Sequence, residues 1–175
     1  MYSMDDIEHF KVEFVQNCCF RMDESLRMIQ IALERVSEAQ VWQKPNSSLN
    51  SIGNLVLHLC GNMTQYGIAS LEESEDRRER DKEFTASGGY TKQQLLALLE
   101  ETVNTVKDTF NSTTIERLLK QKQVQGFRFS GIGNCIHVVE HFSYHTGQIA
   151  FWVKQLHNTQ LGFYDGHDLT MLNDE

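Results

Sequence analysis

The sequence predicts an all-α protein in which four helices form one bundle, as a single domain over residues 1–175. Four long segments carry apolar side chains at three- and four-residue steps, which places those side chains on one face of each helix. Pro45 is the only proline of the chain, and proline is the residue that breaks helix interiors. The chain has 175 residues, which is enough to bury a hydrophobic core without disulfides. These observations together favour a helix bundle.

The first two helices are predicted from their apolar faces and from possible N-caps. The first covers residues 5–38, and Ser3 precedes it as an N-cap with two aspartates in the first turn, where the helix dipole favours negative charge. The second covers residues 49–73, with Ser47 or Ser48 as its cap. Three glycines lie within this second helix, and each costs up to about 1 kcal/mol relative to alanine. They indicate either close helix contacts or a weaker helix.

The second half of the chain predicts two further long helices. Thr91 and Gln94 have the spacing of a capping box, so the third helix begins there. Thr113 begins a short helix by the same signal, and residues 124–129 alternate as in a short extended connector. The fourth helix is predicted over residues 131–157.

A run of charged residues separates the second helix from the third. Residues 72–83 are nearly all charged, with both signs mixed. Such a run is typical of a solvated helix end followed by a surface loop. We therefore expect it to lie on the surface without a role in binding.

Composition and charge exclude several classes of function. The chain carries 16 basic and 24 acidic residues, a net charge of −8, which disfavours binding to nucleic acids or to anionic membranes. No apolar run approaches the roughly 20 residues that span a bilayer, and the N-terminus lacks the pattern of a secretory signal. None of the four cysteines forms a C-x-x-C motif, and a structural disulfide is not expected. We expect a cytoplasmic protein.

Three of the seven histidines recur every four residues in the fourth helix: His137, His141 and His145. Neighbours in this series are displaced by only about 40° around the helix, so they share a face with Gln148. Two histidines at i and i+4 can place two imidazoles on one divalent metal. The alternative is a ladder of solvent-facing or hydrogen-bonded histidines without a metal.

A metal held by His141 and His145 needs a third ligand from elsewhere. In the second helix, His58 lies beside the apolar face, on a row with Asn54, Asn62 and Gln65. From the residues alone, the third ligand remains open between His58, His137 and an acidic residue.

Two segments resemble the DinB/YfiT-like family. Residues 135–149, CIHVVEHFSYHTGQI, are similar to the family's last helix, which reads roughly H-x-x-x-H-x-x-x-H-x-G-Q. Residues 51–62, SIGNLVLHLCGN, are similar to its other motif, a histidine after an apolar stretch. The two motifs lie about 80 residues apart, and the resemblance extends over most of the chain.

The resemblance implies a four-helix bundle of up-down-down-up order that holds one divalent metal ion, most often zinc or nickel. Carried over by motif, the ligands are His58, His141 and His145. His137 matches an additional histidine that the family does not usually use as a ligand. Gln148 matches the glutamine of the Gly-Gln pair, which we expect to orient a ligating histidine or to contribute to packing.

Three protein ligands leave one coordination position open, as in catalytic rather than structural zinc sites. The resemblance implies a thiol S-transferase, in which the metal activates a low-molecular-weight thiol that attacks an electrophile. We expect the electrophile to lie between the second and fourth helices, near Asn54, Asn62 and Gln65. The alternatives are a noncatalytic metal-binding or partner-binding bundle, a metal-dependent hydrolase, and a purely structural bundle without metal. A homodimer is plausible by resemblance.

Overall fold

The computed structural model describes residues 3–172 and shows a bundle of four long helices with short elements between them. In chain order the elements are α1 (Met4–Glu34), α2 (Glu38–Trp42), α3 (Ile52–Met63), a π-helical segment (Thr64–Ala69), α4 (Ser70–Glu72), α5 (Arg80–Thr85), α6 (Lys92–Ser112), α7 (Ile115–Leu119), β1 (Gln121–Val124), β2 (Phe127–Ser130) and α8 (Gly131–His157). Both α1 and α3 pack against α6 and α8. The predicted all-α helical-bundle class is confirmed.

Side-chain caps set where the long helices begin. Ser3 is the N-cap of α1 and Thr91 forms a capping box, both as predicted, and Ser3 also forms a capping box with Asp6. The cap of α3 is Ser51, not the predicted Ser47 or Ser48, because the side chains of Ser51 and Asn54 bond reciprocally to each other's backbone N–H. The predicted first helix is also too long, since Ser37 forms a capping box that begins α2 after α1 has ended.

The predicted second helix is interrupted by a change of helix type. The chain continues from α3 through the π-helical segment into α4, and this helical stretch ends at Glu73, whose φ is 61°. A π-helical turn contains an additional residue relative to an α-helical turn. The side chains after Met63 therefore point in different directions from those of a regular α-helix. Both Gln65 and Tyr66 are buried.

The predicted extended connector is a β-hairpin. Strands β1 and β2 pair antiparallel, with Val124 opposite Phe127. The two residues between them, Gln125 and Gly126, have φ values of 51° and 84°. Positive φ at both positions matches the twist of a tight hairpin turn, and glycine adopts it without steric cost. The hairpin leads directly into α8, whose N-cap is Ser130.

The core lies between the four long helices. All four cysteines are described, and each is a free thiol. Cys60 and Cys135 are buried in the core, as expected for small apolar side chains. In the described part of the chain, no helix has both the length and the apolar character that crossing a bilayer requires.

Candidate metal centre

Three histidines from two helices meet on one side of the core. His58 of α3 and the α8 residues His141 and His145 each have one ligand nitrogen within 4.8 Å of the others. The Nε2 atoms of His58 and His141 are 2.9 Å apart, and the rings of His141 and His145 have centroids 4.5 Å apart. His58 and His145 are 6% and 8% exposed, whereas His141 is half-buried. The cluster is therefore open towards solvent on the side of His141.

The second ring nitrogen of two of these histidines already has a partner. Nδ1 of His58 lies 2.9 Å from Oε2 of Glu83, and Nδ1 of His145 lies 2.7 Å from Oε1 of Gln148. Carboxylate and amide oxygens only accept hydrogen bonds, so both Nδ1 atoms carry the proton. The lone pairs are consequently on Nε2. Neutral imidazoles held in this way are the donors that zinc, nickel and similar divalent ions take, so these residues fit such an ion.

The Nε2 atoms of His58 and His141 share one hydrogen bond. Two nitrogens 2.9 Å apart require a proton between them. A metal ion held by both Nε2 atoms would displace this proton.

Burial keeps two of the three histidines in the neutral form. It lowers the pKa of His141 to about 3, with the nearby His145 and His58 acting in the same direction. Burial also lowers the pKa of His145, although the hydrogen bond to Gln148 opposes the shift. At neutral pH these rings are uncharged, which is the form that binds metals.

Behind His58 lies a buried ion pair from the charged run. Arg78 Nε donates to Glu83 Oε1 at 2.7 Å, and Arg78 Nη2 donates to Oε2 at 2.8 Å. Burial by itself raises the pKa of Glu83, but the hydrogen bonds from Arg78 and His58 outweigh it and hold this pKa below its usual range. The expectation that the whole run is solvated surface is thus wrong for Arg78 and Glu83, whose side chains are 3% and 9% exposed.

Asn54 and Gln65 support this ion pair. Asn54 is completely buried, and its Nδ2 donates to the carbonyl oxygens of Glu83 and Ala86 at 2.8 Å and 2.7 Å. Gln65 accepts from Arg78 Nη1 at 2.8 Å and donates to Asp76 at 2.5 Å. The polar atoms of both amides are used within the protein, so the structure gives them a role other than the expected one of orienting an electrophile.

His137 lies one turn before the cluster and outside it. Its Nε2 is 3.1 Å from Nδ2 of Asn62. Its ring packs against that of Tyr66 at a tilt of 37°, with centroids 4.1 Å apart, and stacks on that of His141 at 5.2 Å. Asn62 is buried, and its Oδ1 has no hydrogen-bond partner. The sequence left the third residue of the cluster open between His58, His137 and an acidic residue. The structure brings His58 next to His141 and His145.

Comparison with known proteins gives a family and a fold. The sequence profile of a family described as "Protein of unknown function (DUF1572)" matches residues 9–164. The chain belongs to the DUF1572 family. Its fold is similar to the crystal structure of a DinB-like protein, YjoA, from Bacillus subtilis, with a TM-score of 0.64 and 18% identity over 87% of this chain and 96% of that one. No curated protein sequence matches the chain. The DinB-like resemblance seen in the sequence is confirmed.

A cavity of about 530 Å³ in this DUF1572 protein lies near the histidine cluster, although none of the three histidines is part of its lining. Gln148, which holds His145, is part of its lining, and the side chains around it are uncharged and largely apolar: Pro45, Ser48, Leu49, Asn50, Leu55, Tyr144, Phe151, Trp152 and Gln155. The cavity lies between α8 and the segment that leads into α3. It is a suitable place for an uncharged, apolar molecule next to the cluster.

Sequence analysis of the DUF1572 chain missed Arg78, Glu83 and Phe84. The charged run has the composition of a surface loop, and its pairing with His58 is not visible in any local pattern. One signal was present, namely Gly61 within a helix. A Cβ atom at Gly61 would lie 2.0 Å from Glu83 Oε1 and 2.9 Å from Arg78 Nε, so this glycine marks the close approach of the ion pair.

Proposed function

We propose that this DUF1572 protein binds one divalent metal ion, zinc or nickel, through His58, His141 and His145, and that it catalyses thiol S-transfer at this site. A low-molecular-weight thiol and an electrophile are the two substrates. The observation that supports the proposal is the cluster of three imidazoles, two of which are already held through Nδ1. Three protein ligands leave a coordination position for a substrate.

The bound ion would supply one kind of chemistry, the deprotonation of a thiol at neutral pH. The chain itself holds the ligands and provides the neighbouring apolar cavity for the electrophile. The lining of that cavity is uncharged, which favours an apolar electrophile over an ionic one. Burial of His58 and His145 limits the access of water from the core side.

The cysteines of the chain do not provide the nucleophile. Burial raises the pKa of Cys60 to about 12 and that of Cys18 to about 11. Burial also raises the pKa of Cys19 and of Cys135. Because thiols of this kind are protonated at neutral pH, the thiolate in an S-transfer reaction has to come from a small molecule.

A hydrolase is the less favoured alternative. Hydrolysis at such a site uses a metal-bound water and is usually assisted by a carboxylate as general base. Among the described residues, the carboxylate in hydrogen-bond contact with the cluster is that of Glu83, and it lies behind His58 on the Nδ1 side. Arg78 occupies both of its oxygens. A noncatalytic metal-binding or partner-binding bundle is the outcome if metal binds without turnover.

We further propose that the protein acts in the cytoplasm as a homodimer, without a nucleic-acid or membrane partner. Phe20 and Ile136 are 57% and 51% exposed. They border two neighbouring grooves between α1 and α8 that share Arg21 and Glu140 in their lining. Opposite charges within one apolar face allow two copies to pair around a two-fold axis. Light scattering of the wild type and of Ile136→Glu tests this, and a monomeric wild type would contradict it.

Metal content tests the site itself. The chain is purified without an affinity tag as wild type, His145→Ala and the matched control His137→Ala, and each is measured by elemental mass spectrometry after reconstitution with Zn²⁺ or Ni²⁺. We expect about one ion per chain in the wild type and in the control, and almost none in His145→Ala. A wild type that binds no metal would refute the proposal. Thiol and electrophile screening of the loaded protein then separates an enzyme from a noncatalytic metal-binding bundle.

A further inference from the structure

We propose that residues 76–86, here called the strap, position His58 for metal binding, and that Glu83 and Arg78 are its positioning residues. The consequence for metal affinity rests on the proposed function; the effect on the His58 ring does not. The strap contains most of the charged run, from residue 76 to residue 83, and continues through the end of α5 to residue 86. Its composition is that of a surface loop, yet three of its side chains are directed towards the back of the histidine cluster.

The strap contacts the His58 ring from two directions. Oε2 of Glu83 accepts the hydrogen bond from Nδ1 at 2.9 Å. The ring of Phe84 packs against the imidazole, with centroids 4.7 Å apart and an interplanar angle of 41°. The first contact determines which nitrogen carries the proton, and the second restricts rotation of the ring. Together they direct the Nε2 lone pair towards His141 and His145.

The two residues that contact His58 are themselves held. Arg78 donates to both oxygens of Glu83, and its third nitrogen donates to Gln65. The same Nη2 atom lies 3.0 Å from His58 Nδ1, but both groups are donors, so Glu83 accepts from each of them. The guanidinium of Arg80 lies 4.8 Å from the centroid of the Phe84 ring, a cation–π contact. Neither Glu83 nor Phe84 is free to adopt another rotamer without loss of these contacts.

The backbone of the strap is fastened to the helix that carries His58. Asn54, one turn before His58 in α3, donates to the carbonyl oxygens of Glu83 and Ala86. Gly61, about one turn after His58, provides the space in which the Glu83 carboxylate lies. The strap is therefore hydrogen-bonded to α3 before the histidine and packed closely against α3 after it, which couples the position of Glu83 to that of His58.

A carboxylate that accepts from Nδ1 of a ligating histidine sets the tautomer and the ring orientation, and its loss typically weakens metal binding by about 10–100-fold. A purely structural clamp differs from this in one respect: its removal lowers the melting temperature but leaves the tautomer of His58 and the affinity of the folded protein unchanged. Measurements on His58 and on metal affinity therefore distinguish the two roles.

The experiment compares Glu83→Ala with the matched control Glu79→Ala, which removes an exposed carboxylate of the same segment that pairs only with Lys82. Because Glu83→Ala leaves Arg78 buried without a partner, the double variant Arg78→Met/Glu83→Leu is included as a version without buried charge. Long-range ¹H–¹⁵N spectra of the metal-free proteins report which His58 nitrogen carries the proton. Titration with Co²⁺ reports metal affinity and, through the visible absorption bands, the coordination geometry.

We expect the wild type and Glu79→Ala to show His58 protonated at Nδ1 and to bind Co²⁺ equally. In Glu83→Ala and in the double variant we expect a mixture of His58 tautomers, a 10–100-fold loss of Co²⁺ affinity and altered absorption bands. Unchanged tautomer and an affinity within twofold of wild type in both variants would overturn the proposal, whatever the melting temperatures. If the wild type binds no Co²⁺ but the tautomer still depends on Glu83, positioning by the strap is upheld and the proposed function fails.

Discussion

Replacement of Gly61 by alanine tests whether the packing of the strap against α3 contributes to stability. At an unrestricted helix position, glycine to alanine stabilises a protein by up to about 1 kcal/mol. At Gly61 the added Cβ would lie 2.0 Å from Glu83 Oε1, so the carboxylate has to move away. Its movement breaks the bond from Arg78 Nε, and a buried charge-assisted hydrogen bond contributes about 1.5–3 kcal/mol.

The net expectation for Gly61→Ala is a loss of about 1–2 kcal/mol, because the lost hydrogen bond exceeds the gain in helix propensity. For a chain of this length the loss corresponds to a decrease of about 2–8 °C in melting temperature. Gly147 in α8 is the matched control, since a Cβ there meets no atom within 4 Å. Gly147→Ala is therefore expected to stabilise the protein by up to about 1 kcal/mol.

The assay is urea unfolding of the metal-free proteins followed by circular dichroism, with thermal unfolding in parallel. The two variants make the same chemical change in helices, so helix propensity cancels between them and the difference reports the contact with Glu83. We expect the free energies of unfolding to differ by about 1.5–3 kcal/mol, the contribution of the lost hydrogen bond. A Gly61→Ala protein as stable as Gly147→Ala would refute the reasoning and would show that Glu83 finds an equally good position elsewhere.

Three further predictions concern the cluster. Because Asn62 contacts its Nε2, we expect that His137 is not a ligand and that His137→Ala changes Zn²⁺ affinity less than threefold in competition titrations. A loss of the size seen for His141→Ala would show instead that His137 is a ligand. Since the folded-state pKa of His141 is about 3 and its unfolded value about 6.5, the unfolded state takes up a proton first. The free energy of unfolding of the metal-free wild type should therefore decrease as the pH falls from about 6.5 towards 3. In urea unfolding between pH 7 and 5, His141→Asn, which cannot titrate at this position, should lose less stability than the wild type. An equal loss of stability in both proteins over this pH range would contradict the prediction. A free Zn²⁺ concentration 100 times Kd should stabilise the fold by about 2.7 kcal/mol, seen as a higher melting temperature, and no shift would argue against a preformed site.

Features of this structure that depend on residues close together in the chain are predictable from the sequence, and features that depend on distant residues are not. Ser3 and Thr91 were identified as caps because a capping box is completed within four residues. The i and i+4 spacing of His141 and His145 placed both rings on one helix face for the same reason. The cap at Ser51 and the break at Ser37 were missed although they are local, because several serines and polar residues nearby offered equally plausible signals.

The role of the charged run was outside the reach of local reasoning. Arg78 and Glu83 have the composition of solvated residues, and an isolated ion pair of this kind is normally left at the surface because burial of charge is unfavourable. Burial is tolerated here since Gln65, Asn54 and His58 complete the hydrogen bonds of the pair and of its backbone. These partners come from a different helix, and no spacing rule connects them with the run.

The sequence by itself determined the four long helical segments, some of their limits and the pair of histidines on α8, since backbone hydrogen bonds within a helix set the direction of side chains four residues apart. Only the tertiary structure decided that His58 completes the cluster and that Glu83 holds it. His58 and His141 are 83 positions apart in the chain, and His58 and Glu83 are 25 positions apart. These contacts depend on how α3 packs against α8 and α5, and that packing is a property of the whole core.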